Sequence, residues 1–360
     1  MPIETLQDTI LQGDSIELLK QLPSNSVDLI FADPPYNMQT EGELLRTDGS
    51  TFSGVTDKWD KFSSLHDYDI FSQTWLTECR RVLKDNGAIW VIGSFQNIFR
   101  LGYIMQDLGF WILNDVIWSK PNAVPNFGGT RFQNSHETLI WCSKHKGAKY
   151  QFNYKTMKYL NGDKQMKSVW EIGICIGAER LKDKDGKKIH STQKPEQLLY
   201  NIIISSTKKG DLILDPFFGT GTTGAVAKRL GRHFIGIERE KMYINAAIKR
   251  INNVQLELSD IIDNTLDVKP PRFSIKQLID LGYLKNGQCL YNKDKTHSAT
   301  ITADGNVEYN GQTMSIHKMS ALFLGKSNNN GWDYFYCDYN DDFISINSLR
   351  YMVNEKGGAK

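Results

Sequence analysis

The sequence has little cysteine and no spacing that would use it. Five cysteines (Cys79, Cys142, Cys175, Cys289 and Cys337) are scattered through 360 residues. No Cys-x-x-Cys pair occurs, which argues against a zinc ribbon, and an odd, dispersed set makes no disulfide framework. The expectation is a reducing compartment, the cytoplasm, and no metal. Long apolar runs are missing too, since no stretch approaches the ~20 residues that a membrane-spanning helix needs. The first residues carry acids and lack the basic-then-apolar pattern of an export signal. Net charge is only +2, so no chain-wide excess of one sign points to a polyanionic partner.

The charge that is present is uneven. Between Lys144 and Lys194, thirteen basic side chains against five acidic ones give a local charge of +8, so the remainder sums to −6. Tyr150, Phe152, Tyr154, Tyr159 and Trp170 interleave with these lysines. Cations alternating with aromatic rings suit a phosphate backbone and unstacked bases; a solvated basic face is the plainer alternative.

From about residue 8 to 253, short β-rich runs alternate with helical patterns, the mark of an α/β protein with a doubly wound, mostly parallel sheet. Strands are expected at 9–12, 27–32, 88–92, 115–118, 137–142, 211–214 and 233–237, and helices at 71–83, 97–108, 195–206 and 222–230. Lys84-Asp-Asn-Gly87 reads as a helix C-cap. The runs around Trp118 and Trp141 are too close for a crossover helix, which predicts an antiparallel pair at one sheet edge. The expected division is a main domain over 1–254 with a recognition segment inserted at about 122–190, a linker over 255–271, and a small α+β module over 272–360. Hairpin turns of that module are expected at Asp304-Gly305, Asn310-Gly311 and Asn330-Gly331. The polar stretch 37–62 is long for a compact loop and reads as a lid or binding loop.

Ser26-Val-Asp-Leu-Ile-Phe-Ala32 reads as a buried parallel strand that ends in Asp33-Pro34-Pro35-Tyr36. Neither proline can donate to a ladder and each restricts the residue before it, so the chain leaves the sheet rigid and extended. A carboxylate, carbonyls and a ring outside the core then stand at the carboxyl end of a strand, where open α/β sheets bind ligands. Such a set suits a flat, amino-bearing base: Asp33 and the Pro34 carbonyl each accept one amino hydrogen, and Tyr36 stacks on the ring. Asp33, Pro34, Pro35 and Tyr36 are therefore the candidate catalytic residues, against the bland alternative of an ordinary turn.

Asp215-Pro-Phe217-Phe-Gly219-Thr-Gly221-Thr222-Thr223-Gly224 gives a strand end, a glycine turn and a helix start, and Glu238 closes the next strand. By pattern alone this is a dinucleotide fingerprint, so a nicotinamide dehydrogenase has to be weighed. Asp215 argues against it, because a carboxylate where a pyrophosphate would lie repels a dianion and welcomes a cation. The helix start at 221–223 still accepts one modest anion, and Glu238 a ribose diol. Ammonium, carboxylate and diol together describe S-adenosylmethionine. The candidate cofactor residues are Asp14 for the adenine amino group, Thr192 and Lys194 for the carboxylate, and Asp33, Asp215, Phe217, Gly219, Gly221, Thr222, Thr223 and Glu238 around the rest.

Taken in this order, Asp33-Pro-Pro-Tyr36, the basic segment, His190-Ser-Thr-Gln-Lys-Pro195 and Asp215-Pro-Phe-Phe-Gly-Thr-Gly221 resemble the β-class DNA amino-methyltransferases, whose catalytic motif precedes the cofactor motif. Phe31-Ala-Asp-Pro-Pro-Tyr-Asn37, Asn126-Phe-Gly-Gly-Thr-Arg-Phe132, His136-Glu-Thr-Leu-Ile-Trp141, Ser315-Ile-His317, Asn330-Gly-Trp332 and Leu349-Arg350 extend the resemblance to the adenine methyltransferases of the HinfI and cell-cycle-regulated (CcrM) type. The resemblance covers nearly the whole chain. It implies a permuted Rossmann-like methyltransferase fold and methyl transfer from S-adenosylmethionine to N6 of a flipped-out adenine in GANTC. It also implies double-stranded DNA as partner and a prokaryotic, chromosome-associated location away from membranes. A homodimer and a cognate restriction endonuclease stay open, and N4-cytosine methylation is the alternative within the class, usually with Ser in place of Asp33. The candidate DNA contacts are Trp59 in the long loop, Asn122, Asn126, Arg131 and Asn134 in the inserted segment, and Ser315, Asn330, Trp332 and Arg350 in the tail. Arg suits guanine and Asn suits adenine.

Overall fold

The chain divides into two units, Met1–Asp267 and Val268–Lys360. The computed structural model describes residues 2–37, 44–45, 51–52, 61–126, 129–257, 259, 263, 265–267 and 272–357, with backbone alone at 44–45, 51–52, 265 and 354–357. The first unit runs through Thr9–Gln12 (β1), Ser15–Gln21 (α1), Val27–Ala32 (β2), the ribbon Leu44–Leu45 (β3) and Thr51–Phe52 (β4), Leu65–Val82 (α2), Leu83–Gly93 (β5) and Ile98–Asp107 (α3). It continues through Trp111–Ser119 (β6), His136–Ser143 (β7), Tyr154–Leu160 (α4), Val169–Glu171 (β8), Glu196–Ser206 (α5), Leu212–Asp215 (β9), Thr222–Arg229 (α6), His233–Glu238 (β10) and Lys241–Asn252 (α7).

Eight of these strands form one sheet in the order β1-β10-β9-β2-β5-β7-β6-β8. The run β1-β10-β9-β2-β5 is parallel, and β7 is antiparallel to both β5 and β6. Strand β2 shows why the sheet is covered on both sides. Leu29 and Phe31 join Leu198, Ile202, Ala225 and Ala247 on the side of α5, α6 and α7. Ile30 and Ala32 join Leu19, Trp75, Leu76 and Leu101 under α1, α2 and α3. A strand buried on both faces reads as a near-continuous apolar run, which but for Asp28 is the pattern of Val27–Ala32.

Three local expectations are corrected. Lys84-Asp-Asn-Gly87 does not cap a helix: α2 stops at Val82 and these residues open β5, with Lys84 Nζ 2.8 Å from Asp28 on the neighbouring strand. The antiparallel pair β6–β7 forms, but the outermost strand beyond it is β8, supplied by the basic segment and parallel to β6. Trp170 of β8 packs on Trp90 (5.8 Å), while Trp141 receives Tyr150 (5.4 Å) and Phe152 (5.3 Å). Of the aromatics that interleave with the lysines, Trp170 is therefore buried in the fold, whereas Tyr150 and Phe152 touch Trp141 and remain exposed.

The second unit contains Ile275–Asp280 (α8), Cys289–Asn292 (β11), Ser298–Ile301 (β12), Val307–Tyr309 (β13), Gln312–Met314 (β14), Ile316–Phe323 (α9), Gly331–Tyr334 (α10), Phe335–Tyr339 (β15), Asp342–Ser345 (β16) and Ile346–Gly357 (α11). Its antiparallel sheet has the order β14-β13-β12-β11-β15-β16. Asn310 (φ 49°) and Gly311 (φ 75°) make the two-residue turn between β13 and β14, which demands left-handed backbone at both positions. Asn330-Gly331 is not a hairpin turn, because Asn330 caps α10 by accepting from Trp332 N at 3.2 Å. Among the described residues no helix is long and apolar enough to cross a membrane.

Candidate active site

Four neighbouring parallel strands deliver four carboxylates to one edge of the sheet. Asp14 follows β1, Glu238 ends β10, Asp215 ends β9, and Asp33 follows β2. The two motifs, 182 residues apart in the chain, thus lie on adjacent strands β2 and β9, at the point where the winding reverses. A single cleft is lined by Asp14, Asp33, Pro34, Pro35, Tyr36, Phe62, Phe71, His190, Thr192, Lys194, Asp215, Phe217, Gly219, Thr222, Thr223, Glu238 and Tyr243, among others.

The proline corner is clamped from behind. Tyr68 of α2 donates its hydroxyl to the Pro35 carbonyl at 2.9 Å, and Asn97 Nδ2 donates to that hydroxyl at 3.0 Å. Asp33 Oδ2 accepts from Lys194 Nζ at 2.7 Å. Its Oδ1 is buried and meets no hydrogen-bond donor among the described residues. The Pro34 carbonyl, like Oδ1, has no donor there. Burial raises the Asp33 pKa, and Lys194 pulls it back only in part. A buried acceptor without a donor is costly, and a substrate amino group would satisfy it.

Lys194, read as a partner for a cofactor carboxylate, has protein partners of its own: its ammonium is buried against Asp33, lies 3.8 Å from Glu137 Oε2, and sits 5.1 Å above the Tyr36 ring. Burial pulls the Lys194 pKa down, but Asp33 and Glu137 raise it by more, so the group stays charged. Tyr36 is also more enclosed than expected, at 9% exposure, with its hydroxyl donated to Glu137 Oε2 at 2.9 Å. Stacking on a base would use the ring face away from Lys194.

The glycine turn is built for close packing as much as for a ligand. Gly219 (φ 52°) and Gly221 (φ 74°) take left-handed backbone, and a Cβ on Gly221 would stand 2.7 Å from Ala247 Cβ. Asp215 Oδ1 accepts from Phe217 N at 3.0 Å, and Oδ2 from the Thr223 hydroxyl at 2.6 Å. Even so, burial lifts its pKa to about 7, with Asp33 and Glu238 adding like charge. A cation arriving in the cleft would relieve this strain, which fits an ammonium or sulfonium. Phe217 turns toward α2, 6.2 Å from Phe71 and edge-on to Trp75 at 5.2 Å, making an apolar wall.

Several assigned cofactor contacts have work within the protein. Asp14 Oδ1 caps α1, accepting from Ile16 N (3.0 Å) and Glu17 N (3.2 Å). Glu238 accepts three backbone N–H bonds, from Gly219, Arg239 and Glu240, each at 2.8 Å, so a bidentate grip on a diol would share its oxygens. The Thr222 hydroxyl donates to the Lys194 carbonyl (3.3 Å) and accepts from Arg250 (2.8 Å), tying α6 to the start of α5. Thr192 bonds through its backbone N–H to His190 Nδ1 at 3.1 Å. His190 packs on Tyr243, and burial together with Lys194 and Arg180 drops its pKa to about 4, so the ring is neutral.

The assigned DNA contacts divide likewise. Trp59 lies outside the described residues. Asn122 accepts from Ile174 N (2.8 Å) and Asn126 donates to the Arg131 carbonyl (2.7 Å), both bracing their own segment. Arg131 is exposed beside the Phe95 ring at 5.3 Å, and Asn134 is exposed. In the second unit Ser315 caps α9, Asn330 caps α10, and Arg350 covers Trp332 at 4.5 Å. Trp332 packs at the rim of that unit's core. Each of these four thus has a role in the module's own fold, beside the strand contact proposed for it.

Sequence reasoning missed Glu137 and Lys120. Both sit behind the cleft-lining Tyr36 and Lys194, at the ends of β7 and β6, with Lys120 Nζ 2.6 Å from Glu137 Oε1. Glu137 lies within the His136–Trp141 motif and Lys120 just after the strand of Trp118, but neither position by itself indicated a role.

With this geometry in place, likeness to known proteins is informative. The profile of the DNA methylase family matches residues 27–249, and that described as Restriction Enzyme Adenine Methylase Associated matches 264–356. The chain is 60% identical over 349 residues to the Type II methyltransferase M.HinfI of Haemophilus influenzae, covering 97% of each. It is 44% identical over 244 residues to the Type II methyltransferase M2.LlaDCHI of Lactococcus lactis subsp. cremoris, covering 68% of this chain and 88% of that one. A crystal structure of an M1.HpyAVI–SAM complex aligns with a TM-score of 0.51 at 28% identity, over 68% of this chain and 98% of that one. The cytosine-N4-specific PvuII DNA methyltransferase shares the fold, with a TM-score of 0.53 at 22% identity over 72% and 93%. A match of this extent, on a chain whose proline corner and glycine turn open into one cleft, places it among the N6/N4 DNA methylases, in the Type II group of the HinfI kind.

Proposed function

We propose that this chain methylates N6 of adenine in GANTC within double-stranded DNA, using S-adenosylmethionine. The observation that carries the reading is Asp33 Oδ1, a buried acceptor without a donor, next to the Pro34 carbonyl and in the same cleft as Asp215. S-adenosylmethionine, when bound, supplies a methyl group on a cationic sulfur that leaves readily.

Residues of this chain account for the rest. Asp215, Thr223 and the glycine turn hold the cationic end, and Phe71 and Phe217 offer apolar surface. Asp33 Oδ1 and the Pro34 carbonyl each accept one hydrogen of the substrate amine, favouring a pyramidal nitrogen whose lone pair faces the methyl carbon. Those bonds strengthen as positive charge grows on nitrogen, so they stabilise the transition state more than the ground state. Alignment of the two reactants within one cleft supplies much of the remainder. A stacked adenine cannot reach Asp33, so the base has to be flipped out, and the ring of Tyr36, which lines the same cleft, is the aromatic proposed to receive it.

The reading extends to the kinship with cell-cycle-regulated methyltransferases, to a cytoplasmic, chromosome-associated location, and to two further partners: a second copy of the chain and a restriction endonuclease reading the same site. The division into a catalytic domain, a linker and a DNA-engaging module belongs to it as well. Methylated-base mapping of a plasmid treated with protein and cofactor tests the core of the proposal. N6-methyladenine confined to GANTC supports it; N4-methylcytosine, or methylation at another site, overturns it.

A further inference from the structure

Glu137 does not line the cleft, yet three groups around Asp33 converge on it. Its Oε1 accepts from Lys120 Nζ at 2.6 Å, its Oε2 accepts from the Tyr36 hydroxyl at 2.9 Å, and that oxygen lies 3.8 Å from Lys194 Nζ. Lys194 in turn donates to Asp33 Oδ2. Two carboxylates and two ammonium groups thus balance in a pocket where each side chain is at most 17% exposed. Buried ion pairs seldom stabilise a fold more than apolar side chains of the same volume, whereas they do fix geometry. Burial would raise the Glu137 pKa, but Lys194 and Lys120 lower it below the usual range, so it is anionic at neutral pH.

We infer that Glu137, backed by Lys120, is a positioning residue for methyl transfer: it aims the Lys194 ammonium at Asp33 Oδ2 and fixes the Tyr36 ring, leaving Oδ1 as the oxygen that meets the substrate amine. With Oδ2 capped, Asp33 presents one acceptor in one orientation. Without Glu137, Lys194 keeps Asp33 as its carboxylate partner but loses the second charge that holds it, and the Tyr36 hydroxyl loses the acceptor at 2.9 Å, so both are held less firmly. This inference rests on the adenine-N6 reading above.

Three variants test it: Glu137→Gln, Glu137→Asp, and the charge-balanced double variant Glu137→Gln/Lys120→Met, which folds even if an unpaired buried lysine would prevent the single variant from doing so. Each is compared with the unmodified protein in single-turnover transfer from tritiated S-adenosylmethionine to a GANTC duplex, and in equilibrium binding of cofactor and duplex. The expected result is a rate loss of roughly 10–100-fold in Glu137→Gln and in the double variant, the size usual for groups that orient a functional residue. Binding of both ligands is unchanged, and Glu137→Asp recovers part of the rate. A double variant that turns over normally, or whose loss is wholly in binding, overturns the inference and leaves the function intact. An unmodified protein that transfers no label to adenine overturns both.

Discussion

Lys194 Nζ stands 2.7 Å from Asp33 Oδ2, joining the start of the α5 segment to the corner after β2. One ammonium thereby occupies one oxygen and leaves the other free on the carboxylate on which the proposed chemistry depends.

Removing that carboxylate is the most direct perturbation. Asp33→Ala is expected to lower single-turnover transfer by at least ~10²–10³-fold, the usual cost of losing one group aimed at developing charge. Cofactor binding, measured by equilibrium dialysis, should stay close to normal. Turnover near the original rate would remove Asp33 from the mechanism.

Lys194→Met probes the same pair from the other side. Lys194 is what lowers an Asp33 pKa that burial has raised, so its loss lifts that pKa further. Activity should then fall most at acidic pH and recover in part as pH rises and Asp33 ionises. A rate–pH profile parallel to that of the unmodified protein would show that the ammonium does not act through Asp33.

Asp215, with a pKa lifted by burial to about 7, predicts proton-linked cofactor binding. A cation binds the ionised form, so the dissociation constant for S-adenosylmethionine should rise as pH falls below about 7 and level off above it. The free protein should show the converse. A carboxyl raised above its ordinary 3.8 contributes stability that is present at low pH and lost as pH climbs through about 7. Calorimetry with and without cofactor across this window measures both limbs, and a pH-independent dissociation constant would contradict the assignment.

Thr223→Val removes the hydroxyl donated to Asp215 at 2.6 Å. That bond favours the ionised form, so the midpoint of the cofactor-binding transition should move to higher pH. An unmoved midpoint would mean that Thr223 does not tune this group.

Much of the fold was legible because its signals are local. Val27–Ala32 is apolar but for Asp28 since both faces are covered, and the helix expected at 222–230 forms as α6, with Gly231 after it in left-handed backbone (φ 68°). The meeting of Asp33 with Asp215 was legible too, through strand ends and motif order. What a sequence does not carry is which partner a polar side chain finds. Lys194 and Thr222 read as ligands for a cofactor, yet one is taken by a carboxylate and the other by a carbonyl and Arg250. Sequence reasoning gives Glu137 and Lys120 no role because only the antiparallel return of β7 along β5 and β6 brings them up behind Tyr36 and Lys194. Ser315, Asn330 and Trp332 read as a binding surface with no sign that they also cap helices and pack on the core, because capping and core packing use the same residue types.

The basic segment yields a prediction of its own. Of its cations, Lys144 is tied to Asp85 and the Leu83 carbonyl and Lys194 is buried, so the charge open to DNA is smaller than composition suggests. Lys155 and Lys158, exposed on α4, are free of that restriction. Lys155→Gln and Lys158→Gln should each weaken binding of all duplexes alike and reduce the salt slope by about 1 where a phosphate contact is lost. An unchanged slope in both would place the DNA elsewhere.

The same helix carries a dependence that a shortened protein would expose. Asp267, in the turn Thr265–Asp267, accepts from Lys155 N at 2.7 Å and Thr156 N at 2.9 Å, so the start of α4 is closed by a carboxylate that arrives 112 and 111 residues later. Trimming the first unit back to the end of α7 would leave those amides bare and loosen the very helix that presents the lysines. The first unit of this chain is therefore finished, structurally, only when the chain reaches Asp267.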